Sequence, residues 1–197
     1  MVCCMFVSFL LSAVRYGINN WLVSYLHEVF DFQESLSMVV TIVLEVMAMI
    51  GPVTMIAVCN KVRNYIKVMI AFYALPFVIA VLMFFVLHVN MVLSIALLLV
   101  FEFFTAAGGT GMSVMSFDMR TQMNMGATSA FTNTSSSIAA GVIPTVVGAL
   151  IERFGWRAQY TFIAGTLFLI LASLVLFNVI ILLEKPRKKD VAHRDIV

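Results

Sequence analysis

Charged residues are scarce in this sequence. Lys, Arg, Asp and Glu together account for 11% of its 197 residues, whereas about a quarter is usual in soluble domains. Hydrophobic residues account for 62%, and the mean hydropathy is +1.06. A small fold cannot bury so much apolar surface away from water, so the composition excludes an ordinary water-soluble globular domain.

Cysteine and histidine are also rare, with three of each. Cys3, Cys4 and Cys59 fall near the ends of apolar segments, and no disulfide framework is expected. No zinc-peptidase, nucleophile-elbow or phosphate-loop motif occurs. We therefore expect no metal, no other cofactor and no enzymatic activity. The net charge of +2 gives no indication of nucleic-acid binding.

Long apolar segments make up most of the chain. A membrane-spanning helix needs about 20 such residues, and hydrocarbon leaves no partners for backbone polar groups outside helices or closed barrels. The segments lack the alternation of barrel strands, and His88, Val89 and Asn90 break the longest one. The predicted fold class is therefore an all-α integral membrane bundle of six transmembrane helices. The predicted spans are 2–26, 37–58, 67–87, 91–116, 127–151 and 159–183, within a transmembrane domain 1–184 followed by a basic tail 185–197.

The distribution of basic residues predicts an orientation. Six spans place both termini on one side, together with nine basic residues, against Arg153 and Arg157 on the other side. The positive-inside rule then predicts a multi-pass protein of the plasma (inner) membrane with both termini in the cytoplasm. The nine are Lys61, Arg63, Lys67, Arg120, Lys185, Arg187, Lys188, Lys189 and Arg194.

Three charged residues lie within predicted spans: Arg15, Glu45 and Glu102. A charge at the centre of the bilayer costs about 2.5 to 3.5 kcal/mol on insertion scales, so such residues usually face protein or a water-filled cavity. Helical spacing places Arg15 and Asn19 on one face. Two readings remain open for Arg15, a contact to an anionic ligand through its planar fork or a structural ion pair with Glu45. The aromatic neighbours of Glu102 leave its direction undecided.

Other polar residues accompany these. Tyr16 and Asn20 share the helix face next to Arg15 and are candidates for the edge of a cavity. The fifth span carries hydroxyl and amide groups at three- and four-residue spacing, which suit either close helix contacts or a hydrated pathway. Proline is expected to kink the second span after Gly51 and the fifth at Pro144. The cavity-lining candidates of the fifth span are Ser129, Thr132, Asn133 and Ser136.

The glycines of segment 108–111, Gly-Gly-Thr-Gly, have no lysine or third fingerprint glycine after them. A nucleotide site is therefore not indicated. In a membrane span such glycines favour close packing of helices.

Several motifs together resemble one transporter family. The run 15–21, Arg-Tyr-Gly-Ile-Asn-Asn-Trp, with Ser-Tyr-Leu-His-Glu-Val at 24–29, resembles the seventh helix of organophosphate:phosphate antiporters of the major facilitator superfamily. Leu44-Glu45 before Gly51, and the segment 60–62, are similar to the eighth helix and its exit. Segments 126–131 and 154–156 are similar to the start and end of the eleventh helix. The resemblance covers nearly the whole chain, in order.

The resemblance implies a function. Members of this family carry glycerol 3-phosphate or sugar phosphates across the inner membrane in exchange for inorganic phosphate. They hold the phosphate with one arginine in the first helix and one in the seventh, which Arg15 matches. The resemblance assigns a phosphate contact to Arg15. With the residues that helical spacing and charge pairing place near it, the candidate binding residues are Arg15, Tyr16, Asn19, Asn20 and Glu45. The chain would supply the carboxy-terminal six-helix half, with an amino-terminal half or a second copy as its partner in the lipid bilayer.

The sequence also departs from the family pattern. Asn20 and Asn60 stand where the family has acidic residues. Two further hypotheses are therefore retained: a superfamily transporter of another substrate that works as a homodimer, and a sensor that binds a sugar phosphate without moving it.

Overall fold

A computed structural model describes residues 2–62, 65–86, 90–118 and 125–194. Side chains are described for residues 5–33, 35–62, 66–86, 90–111, 126 and 129–179. Within the described residues the chain forms seven helices and no strand, which confirms the predicted all-α class. The helices are α1 (Val2–Asn19), α2 (Leu22–Phe30), α3 (Glu34–Val62), α4 (Tyr65–Val86), α5 (Met91–Asp118), α6 (Met125–Phe154) and α7 (Trp156–Arg194).

Five segments of these helices are long and apolar enough to cross a membrane: Ser35–Val62, Ile66–Val86, Met91–Gly111, Ser129–Phe154 and Trp156–Val179. Many of their large apolar side chains point outward. Met49 is 74% exposed and Val92 is 70% exposed. Contiguous apolar surface on this scale belongs against lipid or another protein. The segments give the chain the architecture of a helical multi-pass membrane protein.

The region predicted as the first span, 2–26, is divided in two. Helix α1 ends at Asn19, and α2 begins at Leu22 after a turn. The side-chain amide of Asn20 donates a 3.0 Å hydrogen bond to the backbone oxygen of Tyr16, and the backbone N–H of Trp21 bonds to the oxygen of Ile18 at 3.0 Å. An asparagine side chain that occupies a helical carbonyl favours the end of a helix. The apolar part of α1 in the described chain, Met5–Asn19, is shorter than the five spanning segments.

Local sequence sets the other helix ends. Before α5, the Asn90 side chain accepts hydrogen bonds from the backbone N–H groups of Val92 and Leu93 at 3.0 and 3.3 Å, as an N-cap does. Gly155 separates α6 from α7 with a φ of 76°, a conformation that glycine adopts readily. Helices α3 and α6 each continue through their internal proline, Pro52 and Pro144.

Some predicted features lie outside the described residues: His88 and Val89 of the break, Arg63 and Arg120, and the side chains of Cys3, Cys4 and the basic tail.

Glycine allows the helices to approach closely. A Cβ atom on Gly51 of α3 would collide with the backbone oxygen of Phe103 on α5. Gly108 and Gly111 of α5 face the ring of Tyr73 and the side chain of Met55, whereas Gly109 has open space around it. The packing role predicted for segment 108–111 thus holds for its first and last glycines.

Candidate functional site

The site is centred on Arg15, near the end of α1. Its Nη2 atom lies 3.3 Å from Oε2 of Glu45 on α3, and its Nε atom lies 3.4 Å from Oε1 of Glu102 on α5. The side-chain amide of Asn19 donates a 3.3 Å hydrogen bond to Oε1 of Glu45. One guanidinium therefore joins two carboxylates from two other helices. The ion pair between Arg15 and Glu45, one of the two readings left open by the sequence, is present.

The two carboxylates differ in accessibility. The side chain of Glu102 is 2% exposed, whereas those of Arg15 and Glu45 are 45% and 51% exposed. Oε1 of Glu102 has no hydrogen-bond partner among the described residues, so charge attraction to Arg15 is its main compensation. Glu45 can exchange its partner for water or a ligand, but Glu102 is enclosed by protein.

The sequence did not predict whether the side chain of Glu102 faces lipid or the interior of the bundle. Its neighbours Phe101, Phe103 and Phe104 suggested a lipid-facing stretch. Consecutive residues of a helix point about 100° apart, so the flanking residues do not report the direction of the middle one. Phe101 is in fact buried at 2% exposure, and Phe103 and Phe104 are half-buried. The signal in the sequence was the carboxylate itself, because an ionisable residue in an apolar helix usually faces protein or a water-filled cavity and not lipid.

Tyr16 and Asn20 lie beside the cluster. Both side chains are exposed, and Asn20 is bonded to the backbone of Tyr16. This hydrogen bond shapes the end of α1, and neither side chain forms a hydrogen bond or an ion pair with Glu45 or Glu102 in the described part of the chain. Of the five binding candidates, Arg15, Asn19 and Glu45 are brought together.

The polar face of α6 lies further away. Gly17 faces Ile143 and Val147, and Ala13 belongs to the same packed group as Ala139, so α1 and α6 run parallel and residue 15 is level with about residue 141. The candidates Ser129, Thr132, Asn133 and Ser136 therefore lie about 8 to 18 Å nearer the start of α6. Thr132 donates to the backbone oxygen of Ser129 at 3.0 Å. The structure does not bring this group to Arg15.

Two long-range hydrogen bonds hold the break after α1. The backbone oxygen of Gly17 loses its helical partner because the Trp21 N–H bonds to Ile18. The buried side-chain amide of Gln159 on α7 donates to that oxygen at 2.8 Å. The indole Nε1 of Trp21 donates to the backbone oxygen of Pro144 at 2.9 Å. A buried carbonyl without a partner is costly, so these bonds stabilise the end of the helix that carries Arg15.

Neither known protein-family profiles nor curated protein sequences give a match to this chain. The fold and site define a class: an all-helical multi-pass membrane protein with a half-accessible cluster of one arginine and two glutamates among its helices.

Proposed function

We propose that this protein transports a phosphorylated organic anion across the membrane in exchange for inorganic phosphate. The anion would be of the glycerol 3-phosphate or sugar phosphate type, and transport would proceed by alternating access. The chain would form the carboxy-terminal half of the transporter. The observation that carries the proposal is the accessible guanidinium of Arg15 within a bundle of apolar helices.

The geometry around Arg15 supports binding of an oxyanion. The contact of Nη2 with Glu45 involves two side chains that are each about half exposed, and exposed ion pairs are weak. A phosphate oxygen has the same acceptor chemistry as a carboxylate and can replace Glu45 on the guanidinium fork. Glu102 would keep Nε in place from the buried side, so the fork would be oriented before the ligand arrives.

The charge of the cluster supports a role for a partner. With both carboxylates ionised, the group of Arg15, Glu45 and Glu102 carries a formal charge of −1. A phosphate dianion would be repelled unless Glu45 moved away and further positive charge approached. The family resemblance supplies such a charge, an arginine in the amino-terminal half. We therefore propose that an amino-terminal six-helix half, or a second copy of this chain, completes the site.

We place the protein in the plasma (inner) membrane with both termini in the cytoplasm. Lys61 and Lys67 flank the junction of α3 and α4, on the side where the sequence concentrates its basic residues. The positive-inside rule supports this side as cytoplasmic. Segments α1 and α2 would then cross the membrane together.

The excess negative charge favours a second candidate, transport of a neutral solute by a homodimer. A neutral solute would meet no repulsion from Glu45 and Glu102 and could bond to Asn19 and Arg15. This candidate predicts no competition by inorganic phosphate.

The test is an exchange assay in proteoliposomes. The protein is extracted from its own membrane with any associated chain, reconstituted, and loaded with phosphate; uptake of labelled glycerol 3-phosphate and glucose 6-phosphate is then measured. We expect exchange by the wild type and its loss in Arg15→Lys, because an ammonium lacks the two-donor fork. Arg153→Lys, an exposed arginine at the end of α6, is the control. Normal exchange by Arg15→Lys would refute the role of Arg15.

A further inference from the structure

A groove of about 700 Å³ runs between α4, α6 and α7, three helices that do not contribute to the Arg15 cluster. Apolar side chains form most of its lining, including Phe84, Phe162 and Leu169. The cation on its lining is Arg157, the second residue of α7. We propose that this groove binds one anionic phospholipid, with an acyl chain between the helices and the phosphate on Arg157.

The position of Arg157 suits a lipid headgroup. Arg157 follows the turn at Gly155 that ends α6, and Phe84 lies close to the end of α4 at Val86. Both helix ends therefore meet at one edge of the bundle, where a membrane-spanning bundle reaches the headgroup region. The guanidinium of Arg157 lies 5.6 Å from the centre of the Phe84 ring. That contact holds the cation at the mouth of the groove and leaves its N–H groups free for a phosphate.

The guanidinium of Arg157, at the mouth of the groove, is accessible to an anionic ligand. Arg157 is exposed, and the structure gives it no ion pair with a carboxylate in the parts of the chain that it describes. Glu28 of α2 accepts a 3.2 Å hydrogen bond from the indole of Trp156, the residue before Arg157. A guanidinium whose contact is an aromatic ring, and not a carboxylate, keeps its charge and its N–H groups for an anionic headgroup.

The length of the groove suits an acyl chain. From Arg157 to Leu169 the lining follows α7 for about 18 Å, close to the roughly 15 Å that one leaflet contributes to the hydrocarbon core. Gly165 lies on this path, and a Cβ atom placed there would meet nothing within 4 Å. A glycine at this point keeps the groove open without serving the packing of the helices.

The test is lipid binding measured by native mass spectrometry. The purified protein is titrated with phosphatidylglycerol or phosphatidylcholine that carry the same acyl chains. We expect one tightly bound phosphatidylglycerol, preferred about tenfold over phosphatidylcholine. Both lipids offer a phosphate to Arg157, but the choline ammonium of phosphatidylcholine also repels the guanidinium. Arg157→Gln is expected to remove the preference, and Gly165→Leu to remove binding of both lipids.

Two control variants separate this groove from general surface charge. Arg153→Gln removes a nearby exposed arginine outside the groove, and Gly141→Leu adds the same side chain at an open glycine of α6. Both are expected to bind phosphatidylglycerol as the wild type does. Equal binding of the two lipids by the wild type, an equal loss of preference in Arg153→Gln, or retained binding in Gly165→Leu would each overturn the proposal. Arg157→Gln changes only an exposed side chain, so the headgroup test stands even if Gly165→Leu does not fold.

Discussion

The indole of Trp21 donates its N–H to the backbone oxygen of Pro144, 2.9 Å away. The approach is possible because Gly148, one turn later on α6, has no side chain: a Cβ atom there would collide with the Trp21 ring. The turn that ends α1 is thus fastened to α6 about one and a half helical turns beyond Arg15.

This fastening gives the first prediction. Trp21→Phe keeps one aromatic ring but loses the N–H and part of the indole, and should lower the free energy of unfolding by at least about 1 kcal/mol. Gly148→Leu should lower it by about 1 to 3 kcal/mol, because the indole must move away. Unfolding of the detergent-solubilised protein in a denaturing detergent measures both changes. Equal stability of Gly148→Leu and the wild type would show that Trp21 is not seated on α6.

A second prediction concerns the two carboxylates of the Arg15 cluster. Arg15→Gln removes the counter-ion of the enclosed Glu102 and should destabilise the protein by about 2 kcal/mol, less than a fully buried pair because Arg15 is half exposed. Glu102→Gln in that background should restore most of the loss. Glu45→Gln, the matched change at the exposed carboxylate, should cost less than about 0.5 kcal/mol.

The double variant decides between this account and a simple packing role for Arg15. If Arg15 matters only through the apolar stem of its side chain, then Glu102→Gln will not rescue Arg15→Gln. The same unfolding assay gives the interaction energy from the four proteins of the cycle.

The third prediction tests the close approach of α3 and α5. Gly51→Ala places a methyl group against the backbone oxygen of Phe103, which has no side-chain freedom to yield. The variant should be destabilised by about 1 to 3 kcal/mol. Gly141→Ala, at a helical glycine with open space around it, should be neutral or slightly stabilised because alanine favours helix. A neutral Gly51→Ala would contradict the packing of these two helices.

Much of the helical framework could be predicted because apolar runs of spanning length are unmistakable. The predicted span 91–116 corresponds to α5, Met91–Asp118, and 127–151 to α6, Met125–Phe154. The break at Asn20 and Trp21 was missed, since apolar residues on both sides raise the average hydropathy across it. The local signal was Asn20, whose side chain bonds to the backbone oxygen of Tyr16.

The site was only partly predictable for a different reason. Helical periodicity puts Arg15 and Asn19 on one face. In the structure Asn19 donates a hydrogen bond to Glu45, and Arg15 lies against both Glu45 and Glu102. Periodicity does not give the axial register between helices, and the polar group on α6, Thr132 included, lies at another level. That register depends on contacts such as Gly17 with Ile143, which a single sequence does not reveal.

The central claim is that Arg15 binds the phosphate of an organic anion, and direct binding tests it. The protein is extracted with any associated chain, and labelled glycerol 3-phosphate is equilibrated across a dialysis membrane with the wild type, Arg15→Lys and the control Arg153→Lys. Each measurement is made with and without excess inorganic phosphate. The account predicts saturable binding that phosphate displaces, retained in Arg153→Lys and weakened at least about tenfold in Arg15→Lys. Equal binding by Arg15→Lys and the wild type, or no displacement by phosphate, would contradict it.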